Sequence, residues 1–207
     1  MLNWRDYTLI IDKSGSMSQV EPDTGKSRWQ IMQESTLALA HTCEEADPDG
    51  ITVYLFSGRF RRYDHVTSEH IERIFRENTP AGHTELAGVL DDAMHNYFQR
   101  RATGMAQPNG EAFLVVTDGT IRDRDAVLRI LAETSKNLEH PAEICISFIQ
   151  VGTDSQASDF LNHLDQHLEQ AGVSFSFVDT VSLDKMETSS LTQELLKHSN
   201  GNHEFSG

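Results

Sequence analysis

Apolar and polar positions follow two rhythms along the chain. Short apolar runs bounded by turn residues fall at 7–12, 51–56, 112–117, 143–151 and 173–179, the mark of buried strands. Between them, apolar residues recur at helical spacing. Trp29, Met32, Leu39, Cys43 and Ala46 line a helix that Asp47-Pro48-Asp49-Gly50 stops. Leu86, Leu90, Ala93 and Tyr97 line a second helix over 85–101, and Leu161, Leu164 and Leu168 another over 158–171. Further helices are predicted at 68–76, 125–137 and 190–198. Residues 59–63, rich in arginine, read as a short charged edge strand after Ser57-Gly58. Residues 79–83 and 102–110 read as loops, and 200–207 as a polar tail.

Strand and helix thus alternate from end to end. That order requires crossover connections, a mainly parallel sheet and helices on both of its faces. No repeat, low-complexity tract or linker divides the 207 residues, so one α/β domain is expected over 1–207, with its core at 6–199. No apolar run is long enough to cross a bilayer. No basic and apolar leader precedes the first strand, and Cys43 and Cys145 read as buried free thiols, so a cytoplasmic location is expected.

The net charge of −15 argues against nucleic acid and anionic membrane as partners. The surplus is uneven: from Glu133 onward there are 12 Asp and Glu against 3 Lys and Arg. The loop after the first strand is balanced, with Asp12, Glu21 and Asp23 set against Lys13, Lys26 and Arg28.

That loop carries the candidate chemistry. The run Thr8-Leu9-Ile10-Ile11 ends in Asp12-Lys13-Ser14-Gly15-Ser16, which places one carboxylate and two hydroxyls on a turn. These are hard oxygen ligands, suited to Mg²⁺, Mn²⁺ or Ca²⁺ rather than to zinc or copper. Three ligands do not fill an octahedron, so oxygens from elsewhere are needed. In open α/β sheets, ligands bind beyond the carboxyl ends of the strands. Asp12 and Asp118 each follow a strand directly, and Gly82-His83-Thr84 supplies a third loop. Asp12, Ser14, Ser16, Thr84 and Asp118 are therefore the expected ligands, with Mg²⁺ the expected ion. Two carboxylates balance a divalent charge, hydroxyls add none, and a position remains for an outside anionic oxygen.

This set resembles the metal-ion-dependent adhesion site of von Willebrand factor A-type domains, a family that includes integrin inserted domains and many bacterial intracellular proteins. The residues that carry the resemblance are Asp12-Lys13-Ser14-Gly15-Ser16, Thr84 and Asp118. It implies a doubly wound, Rossmann-like three-layer fold with one short antiparallel edge strand. It implies a metal that bridges to a Glu or Asp of a partner protein. Ser14, Ser16 and either Thr84 or Asp118 would bind directly, and Asp12 often through water. In members that switch, exchange between the last two accompanies movement of the last helix. Bacterial members serve as scaffolds, for example beside AAA+ ATPases, in metal chelatases or in stress-resistance clusters. Two features depart from the common pattern. His83 stands where a small residue is frequent, and reads either as a gate or as a solvated loop histidine. Ser18, Gln19 and Val20 replace the paired acids of a second cation site.

Other constellations lose to simpler readings. His163 and His167 stand four apart but lack the zincin glutamate, Leu164 standing in its place, so a solvated helix face is expected. Gly25-Lys26-Ser27 lacks the glycine that a phosphate loop needs five residues earlier, at Val20. An aspartate-based phosphotransferase needs a second Asp where Ser14 stands, and no Ser/His/Asp or Cys/His set emerges. Lys13, Lys26, Arg28, Arg122 and Arg124 read either as a basic rim that guides an acidic partner or as solvated loop charges. The primary expectation is a non-enzymatic, metal-dependent protein-binding domain, monomeric by default. The alternatives are a Mg²⁺- or Mn²⁺-dependent hydrolase of a phosphate-containing substrate, and a metal that only ties the loops together.

Overall fold

The computed structural model describes residues 5–44, 49–119, 121–151, 155–173, 177–183 and 193. Strand β1 (Asp6–Asp12) lies within the sheet, and its side chains explain the layering. Leu9 and Ile11 point to one face and Ile10 to the other, and all three are buried, as alternation along a doubly covered strand requires.

After β1 come a single 3-10 turn (Gly15–Ser18), α1 (Arg28–Glu44), β2 (Ile51–Phe56), β3 (Phe60–Val66) and α2 (Ser68–Glu77). Then follow α3 (Ala87–Ala102), β4 (Glu111–Thr117), α4 (Arg124–Lys136), β5 (Ile144–Val151), α5 (Ser155–Asn162), α6 (Leu164–Gln170) and β6 (Val178–Leu183). The six strands lie in the order β3-β2-β1-β4-β5-β6. All neighbours are parallel except β2 and β3, which pair antiparallel at the edge. The chain winds one way from β1 to β2 and β3, and the other way from β4 to β6. The switch point therefore lies between the carboxyl ends of β1 and β4, where such sheets bind ligands.

Two apolar layers cover the sheet. On one side Trp29, Met32 and Leu39 of α1 and Ile71 and Phe75 of α2 pack on Leu9, Ile11, Val53 and Leu114. On the other, Leu90 and Tyr97 of α3, Val127 and Leu131 of α4, and Phe160 and Leu164 beyond them pack on Ile10, Phe56, Phe113 and Phe148. Each large side chain so buried contributes about 1.5–3 kcal/mol. Cys43 and Cys145 are buried and not in a disulfide, as expected. Burial pushes the Cys145 thiol up to about 11, which makes it chemically quiet. Among the described residues no helix is long and apolar enough to cross a membrane.

The far end of the sheet is tied by partly buried ion pairs. Arg100 of α3 reaches both Asp6 and Glu111, and Thr8 donates its hydroxyl to Glu111. Arg101 and the Tyr97 hydroxyl both donate to Glu143, at 2.5 and 3.0 Å. Burial pushes the Glu111 carboxyl from 4.5 up to about 7, against the pull of Arg100 and Thr8. Between those values the folded chain holds a proton that the unfolded chain has released. The stability that Glu111 contributes is therefore complete below its unfolded value and is lost as pH rises through about 7. Glu111→Gln is expected to flatten the fall in stability across that window. Urea denaturation at about pH 5 and about pH 7.5 measures it, and equal slopes in variant and parent would refute it.

Three elements differ from the sequence expectation. The edge strand β3 runs on to Val66, three residues further than 59–63. The helix expected at 158–171 is two helices, broken at His163, whose Nδ1 lies 2.8 Å from the Asp159 carbonyl and competes for the oxygen of a helical hydrogen bond. The strand expected at 173–179 is β6 at Val178–Leu183. Val173 instead closes α6: its N–H donates to the Leu168 carbonyl and the Gly172 N–H to Glu169, with Gly172 at φ +87°. This Schellman cap uses a buried apolar residue that the sequence presents as the start of a strand. The helix expected at 190–198 and the tail at 200–207 lie outside the described residues, residue 193 excepted.

Candidate functional site

The backbone fixes the site before any side chain does. Lys13 N–H donates to the Phe56 carbonyl at 2.7 Å, which holds the turn after β1 against the end of β2. Ala81 N–H donates to the Lys13 carbonyl at 2.8 Å, and Gly15 N–H to the Gly82 carbonyl at 3.2 Å. The loop bearing Thr84 is thereby stitched to the turn bearing Ser14 and Ser16. Arg122 N–H donates to the Thr84 carbonyl at 3.2 Å, which brings in the loop after β4. Asp123 accepts from Leu86 N–H at 3.0 Å and Ala87 N–H at 2.7 Å, so its carboxylate holds the start of α3.

All five expected residues come together. Asp12 is fully buried, and its Oδ1 accepts from Ser14 N–H at 2.7 Å. Its Oδ2 accepts from the Thr84 hydroxyl at 3.0 Å and the Thr117 hydroxyl at 2.7 Å. The Ser14 and Ser16 hydroxyls are 3.0 Å apart, and Ser16 donates to Asp118 Oδ1 at 2.6 Å. Ser14, Thr84 and Asp118 are buried, while Ser16 is exposed. One hydrogen-bonded network therefore runs from Thr84 through Asp12, Ser14 and Ser16 to Asp118; all but Asp12, which lies buried beneath them, line the floor of an open cavity of about 590 Å³.

Two members of this network are not among the five expected ligands. Thr117, the last residue of β4, is a fully buried hydroxyl that holds Asp12; it stands in register beyond Val116, which pairs with Ile11. The hydroxyl at the strand's end was the available signal. Arg28 is the other. Its Nη1 donates to Asp118 Oδ2 at 2.8 Å and its Nε to Glu21 Oε1 at 2.6 Å. The expected basic rim is therefore largely spent: Arg28 is paired, Lys26 pairs with Glu34 at 2.6 Å, and Arg124 lies over the Phe160 ring at 5.3 Å. Arg122 is exposed and lines the cavity. His83 also lines it and stands 3.3 Å from Glu85 Oε1. His163 and His167 are exposed, and the helix break falls at His163 itself.

Burial holds the Asp12 carboxyl above its ordinary range, despite hydrogen bonds from Ser14 and Thr117, and the charge of Asp118 adds to the effect. Asp118 has the Arg28 cation beside it, whereas among the described residues no cation pairs with Asp12. Such a carboxylate is costly to keep ionised without an added positive charge. The oxygens gathered here are two carboxylates and neighbouring hydroxyls, a set that fits a hard divalent cation. Among the described residues no group of three or more His, Cys, Asp or Glu side chains is placed to hold a metal, so any such site draws on hydroxyls.

A six-stranded doubly wound sheet with a polar cavity at its switch point defines the class of protein. The chain belongs to the von Willebrand factor type A domain family, whose profile matches residues 7–120, a span that contains all five candidate residues. Many solved structures share the fold, and two of them are a pilin and a pilus tip domain. One is a point mutant of the PilB minor pilin from Streptococcus sanguinis, 15% identical, with a TM-score of 0.61, covering 94% of this chain and 60% of that one. The chain thus spans about 60% of the length of that pilin. The other is the vWF domain of the type V pili tip protein Mfa5 from Porphyromonas gingivalis, 10% identical, with a TM-score of 0.50, covering 94% of this chain and 93% of that one. No curated protein matches the chain.

Proposed function

We propose that this chain is a non-enzymatic, metal-dependent protein-binding domain. In this reading Asp12, Ser14, Ser16, Thr84 and Asp118 hold a divalent cation, Mg²⁺ first and Mn²⁺ or Ca²⁺ by the same chemistry. One observation carries the reading: side chains from three separated turns meet in a single network at the floor of an open cavity. When bound, the cation supplies positive charge there and takes an oxygen from a partner's Asp or Glu. The chain's own residues do the rest. Thr117 and Ser14 fix Asp12, Arg28 fixes Asp118, and the hydroxyls of Ser14 and Ser16 face the cavity without adding charge. The match to a minor pilin and a pilus tip protein supports binding rather than turnover.

The test is affinity capture with the pure domain in Mg²⁺ and in EDTA, with Asp12→Ala as control. A partner retained only in Mg²⁺ and only by the parent supports the proposal. Hydrolysis of a phosphate ester that needs metal and is abolished by Asp12→Ala would contradict it.

Arg28 provides a second, quantitative check. Its guanidinium shares Asp118 with any bound cation, and two like charges near one carboxylate repel. Arg28→Gln is expected to tighten Mg²⁺ binding by roughly tenfold, equivalent to ~1.4 kcal/mol. Calorimetric titration of both proteins measures it. Weaker binding in the variant would mean that the arginine's main effect is to orient Asp118.

A further inference from the structure

Two guanidiniums line the cavity, and they are not equivalent. Arg28 is spent on Glu21 and Asp118, with its side chain 12% exposed. Arg122 is exposed. Its backbone is tied to the Thr84 carbonyl at 3.2 Å, and the preceding Ile121 is buried in the core, so its main chain is fixed beside the floor. Its nearest carboxylate in sequence, Asp123, is committed to the N–H groups of Leu86 and Ala87. Glu85 faces His83 at 3.3 Å. Among the described residues no carboxylate pairs with Arg122. The cavity thus presents one uncommitted guanidinium on the same rim as the polar floor, and a guanidinium of this kind takes a carboxylate in bidentate fashion.

We infer that Arg122 is the residue that reads the partner: it contacts the acidic side chain that enters the cavity, or an acidic neighbour on the same peptide, while Arg28 stays on Asp118. This rests on the cation reading of the floor and goes beyond it by naming a specificity residue and an acidic peptide as its ligand. The net charge of −15 repels acidic partners at long range, so recognition is confined to short-range contact at this rim.

The experiment titrates the full chain with Mg²⁺ alone, and then titrates the Mg²⁺-loaded protein with a capped hexaglutamate peptide and its hexaglutamine counterpart. The parent is expected to bind the glutamate peptide in Mg²⁺ and not the glutamine one. Arg122→Gln is expected to lose about tenfold or more in peptide affinity with Mg²⁺ affinity unchanged. Arg73→Gln, which removes an exposed cation of α2 that does not line the cavity, is expected to match the parent. Equal losses in the Arg122 and Arg73 variants would overturn the inference, as would unchanged peptide binding in Arg122→Gln or no glutamate binding by the Mg²⁺-loaded parent. Failure of the parent to take Mg²⁺ at all would overturn the cation reading, and this inference with it.

Discussion

Asp12→Asn is expected to lower Mg²⁺ affinity by about 100-fold and to end metal-dependent capture, while the domain stays folded. Asp12 is the group on which the floor converges. Ser14 N–H and the Thr84 and Thr117 hydroxyls all donate to it, from β1's own turn, from the loop before α3 and from the end of β4. Asparagine keeps the shape and one carbonyl acceptor but removes the charge, so cation binding is lost more completely than stability. Asp12→Ala also strands the three donors, each at about 1–3 kcal/mol, offset by relief of a buried carboxylate. Comparing the two variants by calorimetry and thermal melting separates binding from folding. Retention of parent-like Mg²⁺ affinity in Asp12→Asn would exclude this residue from the site.

Gly110→Ala is expected to cost about 3–5 kcal/mol, a large share of a domain's stability. Gly110 sits at φ +76°, and a Cβ there would lie 1.8 Å from the Glu143 carbonyl oxygen and 2.7 Å from its carbon. The obstacle is main chain, so no rotamer change relieves it. The Glu111 N–H donates to that same carbonyl, and the Gly110 carbonyl accepts from Asp6 N–H. Making room would shift the start of β4 or β5 and disturb the buried carboxylates Glu111 and Glu143 together with Arg100 and Arg101. Denaturant unfolding measures the loss, and a variant within 1 kcal/mol of the parent would refute the close approach.

The fold was legible because its strands are dense in β-branched and aromatic residues and end in turns: Ile51–Phe56 is both the expected and the observed strand. Asp12, Ser14 and Ser16 were legible from local spacing. Asp118 needed the topology as well, since strand ends in a doubly wound sheet converge, and Thr84, on the loop between α2 and α3, came with the family resemblance. The remaining features depend either on a local backbone conformation or on contacts between distant residues. Val173 reads as strand from its neighbours but serves as a helix cap, a role fixed by Gly172 at φ +87°. Arg28 and Thr117 look like an ordinary loop cation and strand residue until the sheet places them at 2.8 and 2.7 Å from the two carboxylates.

Anomalous diffraction from crystals soaked in Mn²⁺ locates any ion that these five residues hold. One peak is expected over the floor, within about 2.0–2.2 Å of the Ser14 and Ser16 hydroxyls and of Thr84 or Asp118. A saturating soak that leaves this floor without a peak, or places the ion elsewhere on the domain, would contradict it.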